Sequence, residues 1–142
     1  MPTPIKLGII GLGIMGERLL RAALEHAAEI VTPVGVWDPA PAAAGRLAGI
    51  AGAPRMLATP DAVIAACECL YIAAPPAAHI PLAEAAIAAG RAVFIEKPLA
   101  TSPAEARGFV ARAEAAGARV AVNFPMASSP AVAQLSAWRA GM

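Results

Sequence analysis

Three small groups of residues could do chemistry in this chain. The first is Gly11-Leu12-Gly13-Ile14-Met15-Gly16, a G-x-G-x-x-G run. It follows the apolar stretch Ile5–Ile10 directly and opens an amphipathic stretch, the context that gives such a motif meaning. Gly11 would allow a tight turn, Gly13 a close approach of backbone to a pyrophosphate, and Gly16 close helix–strand packing. The helix N-terminus behind the loop would offer free N–H groups and the positive end of its dipole to phosphate. The second is Asp38, 22 residues after Gly16 at the end of the next apolar run. A carboxylate there suits the hydroxyls of an adenosine ribose and repels a 2′-phosphate. No arginine follows it immediately; the nearest is Arg46. NAD is therefore expected over NADP. The third is Glu96-Lys97-Pro98, a charged pair at the end of an apolar run. Lys97 could bind a substrate hydroxyl or carbonyl and pass a proton; a plain surface lysine ending a strand is the competing reading.

These groups need elements to hold them. Ile5–Ile10 is nearly all apolar, as a strand buried on both faces would be. Leu20, Ala23, Leu24 and Ala27 recur at helical spacing between Met15 and Ala28, with Glu17, Arg18, Arg21 and Glu25 opposite. A second strand is expected over Ile30–Trp37, with Pro33 implying an edge position or a bulge. A short helix from Pro39 to Ile50 follows, and a brief one to Ala66 capped by Thr59 with Pro60 and Asp61 in its first turn. Strands are expected at Cys69–Ala74, Ala92–Glu96 and Arg119–Phe124. Helices are expected at Ile80–Ala89, from the capping box Ser102–Glu105 to Ala116, and after Ser129-Pro130, where Val132, Leu135 and Trp138 recur. This alternation predicts an α/β fold, a doubly wound parallel sheet with helices on both faces. Residues 1–124 are expected to form the nucleotide-binding domain and 125–142 a linker helix.

Composition narrows the function classes. The 142 residues carry a net charge of +1, with 15% charged and 58% hydrophobic residues. Disorder driven by charge is excluded, and no basic stripe invites nucleic acid. No uninterrupted apolar stretch reaches the ~20 residues of a membrane span, and Glu17-Arg18 stand where a signal peptide would need small residues. A cytoplasmic protein is expected. Alanine accounts for 39 residues, so the core must come from close backbone packing and from the Ile, Leu and Val residues. Cys67 and Cys69 lack the neighbours a metal site needs, and no metal is expected. On one strand their thiols would share a face, as inert buried groups or as a redox pair.

Taken together, Gly11–Gly16, Asp38, Ala74-Pro75 with His79, Ala89-Gly90 and Glu96-Lys97-Pro98 resemble the Gfo/Idh/MocA family, that of glucose–fructose oxidoreductase and inositol dehydrogenase. The resemblance covers essentially the whole chain. It implies that Gly11, Leu12, Gly13, Ile14, Met15 and Gly16 form the pyrophosphate loop and that Asp38 holds the ribose. Ala74, Pro75 and His79 would line the crevice beside the cofactor. Glu96 and Lys97 would stand near the nicotinamide and substrate, with Lys97 catalytic and the Lys97–Pro98 bond often cis in relatives. Asn123 stands where relatives carry Asn or Gln.

The chain departs from the family in places. Ala74 and Pro76 replace Thr and Asn, and Phe124-Pro125-Met126 stand where an Arg is common. Family members also continue into a second domain that supplies most of the substrate pocket. The expectation is therefore the NAD-binding domain of an oxidoreductase acting on a sugar, polyol or related small molecule. As an isolated 142-residue chain it is expected to be inactive and able to form a homo-oligomer. The alternative is a freestanding, non-catalytic NAD-binding module or redox-sensing subunit.

Overall fold

The computed structural model describes residues 3–141. Five strands, β1 (Ile5–Ile10), β2 (Val31–Trp37), β3 (Cys69–Ile72), β4 (Ala92–Glu96) and β5 (Val120–Asn123), form one sheet in the order β2-β1-β3-β4-β5. Every pairing is parallel. The helices are α1 (Ile14–His26), α2 (Ala42–Ala48), α3 (Pro60–Ala66), α4 (His79–Ala88), α5 (Pro103–Ala115) and α6 (Pro130–Ala140). Single 3₁₀ turns occupy Pro76–Ala78 and Pro125–Ser128.

The sheet is covered from both sides because its strands are apolar on both faces. On one side Leu7, Ile9, Val36 and Tyr71 pack with Leu20 and Ala23 of α1 and with Ala43 and Leu47 of α2. On the other, Ile10, Leu70, Ile72, Val93 and Ile95 pack with α3, α4 and Phe109 and Ala113 of α5. The chain order reverses between β1 and β3, so a crevice opens at the carboxyl ends of the strands between them. Alanine on the inner helix faces, as at Ala83 and Ala86, lets helices sit close to the sheet.

The expected elements are present; β1 and β4 have the expected bounds and most others have shifted ends. Pro33 sits on an edge strand, and the β1–β2 register slips between Leu7 and Gly8, opposite it. Both features relieve a ladder that proline cannot complete. The second helix is shorter than expected: Pro41 and Gly49 flank α2, and Gly52 turns the chain at φ +74°. The third strand ends at Ile72 rather than Ala74, because the chain bends into the turn leading to α4.

The cysteine expectation needs correction. Cys67 follows α3 and is buried in the cluster with Val63, Leu70 and Val93, whereas Cys69 begins β3 and packs against the opposite cluster. Strand alternation cannot bring their thiols to one face, because Cys67 lies outside the strand. The capping box also closes differently. Ser102 Oγ accepts from Glu105 N at 3.2 Å, but Glu105 Oε2 accepts from the Thr101 amide (3.1 Å) and hydroxyl (2.7 Å). Val132, Leu135 and Trp138 do not form a buried stripe; α6 has no buried residue.

Candidate functional site

The glycine loop is shaped by contacts that exclude side chains. Gly11 turns at φ +94°, and a Cβ there would lie 2.6 Å from the Ala73 carbonyl. A Cβ on Gly16 would collide with the Gly11 carbonyl oxygen. Gly13 is different: a Cβ there would meet nothing within 4 Å. Its lack of a side chain leaves open space over the loop, which is what the approach of a diphosphate requires. Gly13 is also the N-cap of α1, and no side chain caps the helix. Ile14 and Met15 lie in its first turn, and their N–H groups have no partner within the helix. The loop therefore fits a dinucleotide pyrophosphate.

Asp38 follows β2 and grips the loop. Its Oδ2 accepts from Leu12 N at 2.6 Å and its Oδ1 from Ala40 N at 2.7 Å. The carboxylate is thus oriented by two amides, with lone pairs left for a further donor. Beside it lies an apolar cleft of about 820 Å³. Gly11, Gly13, Trp37, Asp38, Ala74 and Pro75 line it together with Pro60, Pro81 and Leu82. Apolar walls with few polar groups suit a flat heteroaromatic ring.

Sequence reading missed the role of Arg46. It lies eight residues after Asp38 in sequence, yet its Nη2 and Nε donate to the Leu12 carbonyl at 3.0 and 3.3 Å. The signal was helical phase. Arg46 stands three residues after Ala43 and next to Leu47, both buried on α2, so its side chain leans toward the loop rather than away.

The remaining predicted residues lie at the far end of the crevice and outside this cleft. His79 is 1% exposed. Its Nδ1 lies 2.9 Å from the Pro98 carbonyl and its Nε2 2.7 Å from that of Ala74. The imidazole thus ties the turn after β3 to the turn after β4 and presents no surface to the cleft. Lys97 is exposed, and no ion pair holds its ammonium among the described residues. The Lys97–Pro98 bond is cis.

Glu96 is 4% exposed. Its Oε1 accepts from Tyr71 Oη at 2.6 Å and from Asn123 Nδ2 at 2.5 Å; its Oε2 is buried without a partner among the described residues. Glu96 and Asn123 are direct cross-strand partners. Burial first, then the hydrogen bond and charge of Glu96, push the Tyr71 hydroxyl far above its ordinary range, and Asn123 opposes them. Tyr71 therefore stays a neutral donor. Among the described residues no group of His, Cys, Asp and Glu could hold a metal ion, and no helix is long and apolar enough to cross a membrane.

A five-stranded parallel sheet with a glycine loop and carboxylate at its reversal point defines a nucleotide-binding Rossmann domain. Residues 5–124 match the oxidoreductase family with NAD-binding Rossmann fold, GFO_IDH_MocA, and the chain belongs to that family. It is similar to an inositol 2-dehydrogenase of Cereibacter sphaeroides, 37% identical over 110 residues, covering 75% of this chain and 32% of the relative. The chain thus spans about a third of the length of that relative. Among solved structures, UDP-N-acetylglucosamine 3-dehydrogenase GnnA from Acidithiobacillus ferrooxidans superposes with a TM-score of 0.80 at 27% identity, over 94% of this chain and 41% of that one. Scyllo-inositol dehydrogenase from Lactobacillus casei, solved with NAD(H) and scyllo-inositol, shares the fold with a TM-score of 0.86 at 18% identity, over 97% and 41% of the two chains.

Proposed function

We propose that this chain supplies the cofactor half of a dehydrogenase that moves hydride between NAD and a hydroxyl-bearing carbon of a sugar, a polyol or a related small molecule. Bound NAD would supply the hydride acceptor or donor. The chain's own residues would bind and orient it. The Gly11–Gly16 loop would take the pyrophosphate on the amides of Ile14 and Met15, with Leu12 as part of the loop. Asp38 would accept from the ribose hydroxyls, and Ala74 and Pro75 would border the cleft. Lys97, exposed directly after β4, would bind the substrate oxygen and move its proton. Glu96 and Asn123 would brace the backbone beneath Lys97, and His79 would fix the two turns between which the nicotinamide would lie.

One observation carries this reading. The open space over Gly13, the uncapped start of α1 and the Asp38 carboxylate border a single apolar cleft. We further propose a cytoplasmic location, residues 1–124 as the nucleotide-binding domain, and 125–142 as a linker helix whose last residue lies outside the described ones. The partner would be a small molecule, without nucleic acid or membrane, and self-association remains open to the chain.

The test is calorimetric titration of the 142-residue chain with NADH. Saturable binding is expected, weakened about tenfold or more in Asp38→Ala, the loss of a charge-assisted hydrogen bond pair. Absence of binding at millimolar NADH would overturn the reading.

A further inference from the structure

The chain has two histidines. His26 is exposed in the last turn of α1. His79 is the first residue of α4 and is buried. Both of its ring nitrogens face carbonyl oxygens, Nδ1 that of Pro98 at 2.9 Å and Nε2 that of Ala74 at 2.7 Å. A carbonyl oxygen can only accept, and a neutral imidazole has one N–H. The neutral ring therefore satisfies one carbonyl and turns a lone pair on the other. The imidazolium, with a donor on each nitrogen, satisfies both.

No carboxylate pairs with this ring among the described residues. The charged groups on the elements around it have other partners. Glu96 of β4 is bonded to Tyr71 and Asn123, Glu105 of α5 to Thr101, Glu84 of α4 to Arg112 of α5, and Asp38 to the Leu12 and Ala40 amides. Lys97, next to Pro98, is exposed, and its charge opposes a second proton on the ring. The two carbonyls are thus the groups that hold that proton. They belong to different parts of the crevice: Ala74 lines the cofactor cleft, and Pro98 is joined by its peptide bond to Lys97.

We propose that His79 is a positioning residue which, as the imidazolium, locks the cleft wall at Ala74 to the turn that carries Lys97, and which releases one of the two when it loses a proton. This rests on the reading of the cleft as a cofactor site and of Lys97 as the proton-transfer lysine. The sign follows from the donors: the second proton favours the locked crevice, so locking weakens as pH rises through the titration of the ring. The coupling is reciprocal. A dinucleotide that binds the locked crevice more tightly also draws a proton onto His79.

The first measurement needs no variant. A chain labelled with ¹⁵N-histidine gives one imidazole signal set for His79 and one for His26, followed by NMR from about pH 5 to pH 8, the range in which imidazoles change charge. His79 is expected to carry protons on both ring nitrogens at the acidic end, exchanging with water at least about tenfold more slowly than those of His26, and to lose one as pH rises. NADH affinity should fall about fivefold over the same interval, the equivalent of one hydrogen bond. Reductive ¹³C-methylation marks the two lysines, and the Lys97 signal should follow the His79 titration while Lys6 does not. His79→Gln keeps one donor and cannot titrate; it should weaken NADH at pH 5 and flatten both profiles, and His26→Asn should alter neither. A His79 ring with a single proton, or with two, at every pH overturns the proposal. So does a pH profile of NADH affinity or of the Lys97 signal that survives in His79→Gln. If that variant melts early, the labelled wild type still decides. A wild type that binds no NADH while Lys97 still follows the ring would defeat the cofactor reading and leave the lock standing.

Discussion

At the scale of single residues, the chain separates groups that were visible in the sequence from groups whose partners were not. The glycine loop and Asp38 were legible because a backbone conformation and a charge each restrict the residue type. Glycine is required where φ is +94° and where a Cβ would strike a carbonyl. Lys97 stood out through scarcity, as one of two lysines, and the structure shows it exposed directly after β4. His79 was named as a crevice residue, yet it is buried between two carbonyls that only the tertiary fold brings together. Replacing it with Leu removes the donor from two part-buried carbonyls, so a loss of about 1 kcal/mol is expected in denaturant unfolding. A loss below about 0.5 kcal/mol would mean that water takes over both carbonyls. The cysteines illustrate the opposite error. A spacing of two suggested one face, but the strand begins only at Cys69. Burial pushes both thiols up, which lowers the thiolate fraction on which alkylation depends. Native Cys67, 1% exposed, is expected to react with iodoacetamide at pH 8 at least about tenfold more slowly than in urea. Rapid, equal labelling of both cysteines in the native chain would contradict this.

At the scale of elements, the expected strands and helices are present, with β1 and β4 bounded as expected and most other ends shifted, because ends are decided by caps and turns rather than by hydrophobic phase. The caps that were read from side chains hold. Thr59 Oγ1 accepts from Ala62 N, and Ser129 Oγ from Val132 N. The start of α5 adds a pH dependence. Hydrogen bonds from the Thr101 hydroxyl, and then from the Thr101 amide, hold the Glu105 carboxyl below its ordinary value. A depressed carboxyl contributes stability that is fully present above its unfolded value and disappears as pH falls through the folded one. The stability difference between the wild type and Glu105→Gln should therefore be constant near neutrality and shrink as pH falls below the ordinary carboxylate range. Ser102→Ala should cost about 1 kcal/mol throughout. A Glu105→Gln difference that grows on acidification would refute the assignment of this network to the ionised carboxylate.

At the scale of the whole molecule, stability and function divide the chain unevenly. The sheet and its five flanking helices α1–α5 bury the large apolar residues, from Ile9 on one face to Phe109 on the other. Helix α6 buries none, although it is well capped and carries Leu135 and Trp138. Those side chains are 58% and 63% exposed, so their transfer from water has not been gained in folding. The hydrophobic effect scales with area removed from water, and this fixes the direction of a comparison between two substitutions. Phe109→Ala empties a site that is 1% exposed and should cost about 3–5 kcal/mol. Leu135→Glu and Trp138→Glu together should cost almost nothing, with a melting temperature within about 2 °C of the wild type. NADH affinity should also persist in the α6 variant, because no residue of α6 lines the cleft. A large drop in melting temperature for the α6 variant would show that its apolar residues are buried in solution, by contact with a second copy. Sedimentation at rising concentration would then separate the two cases: a chain stabilised by self-association dissociates on dilution, and the glutamate variant would sediment as a monomer at every concentration.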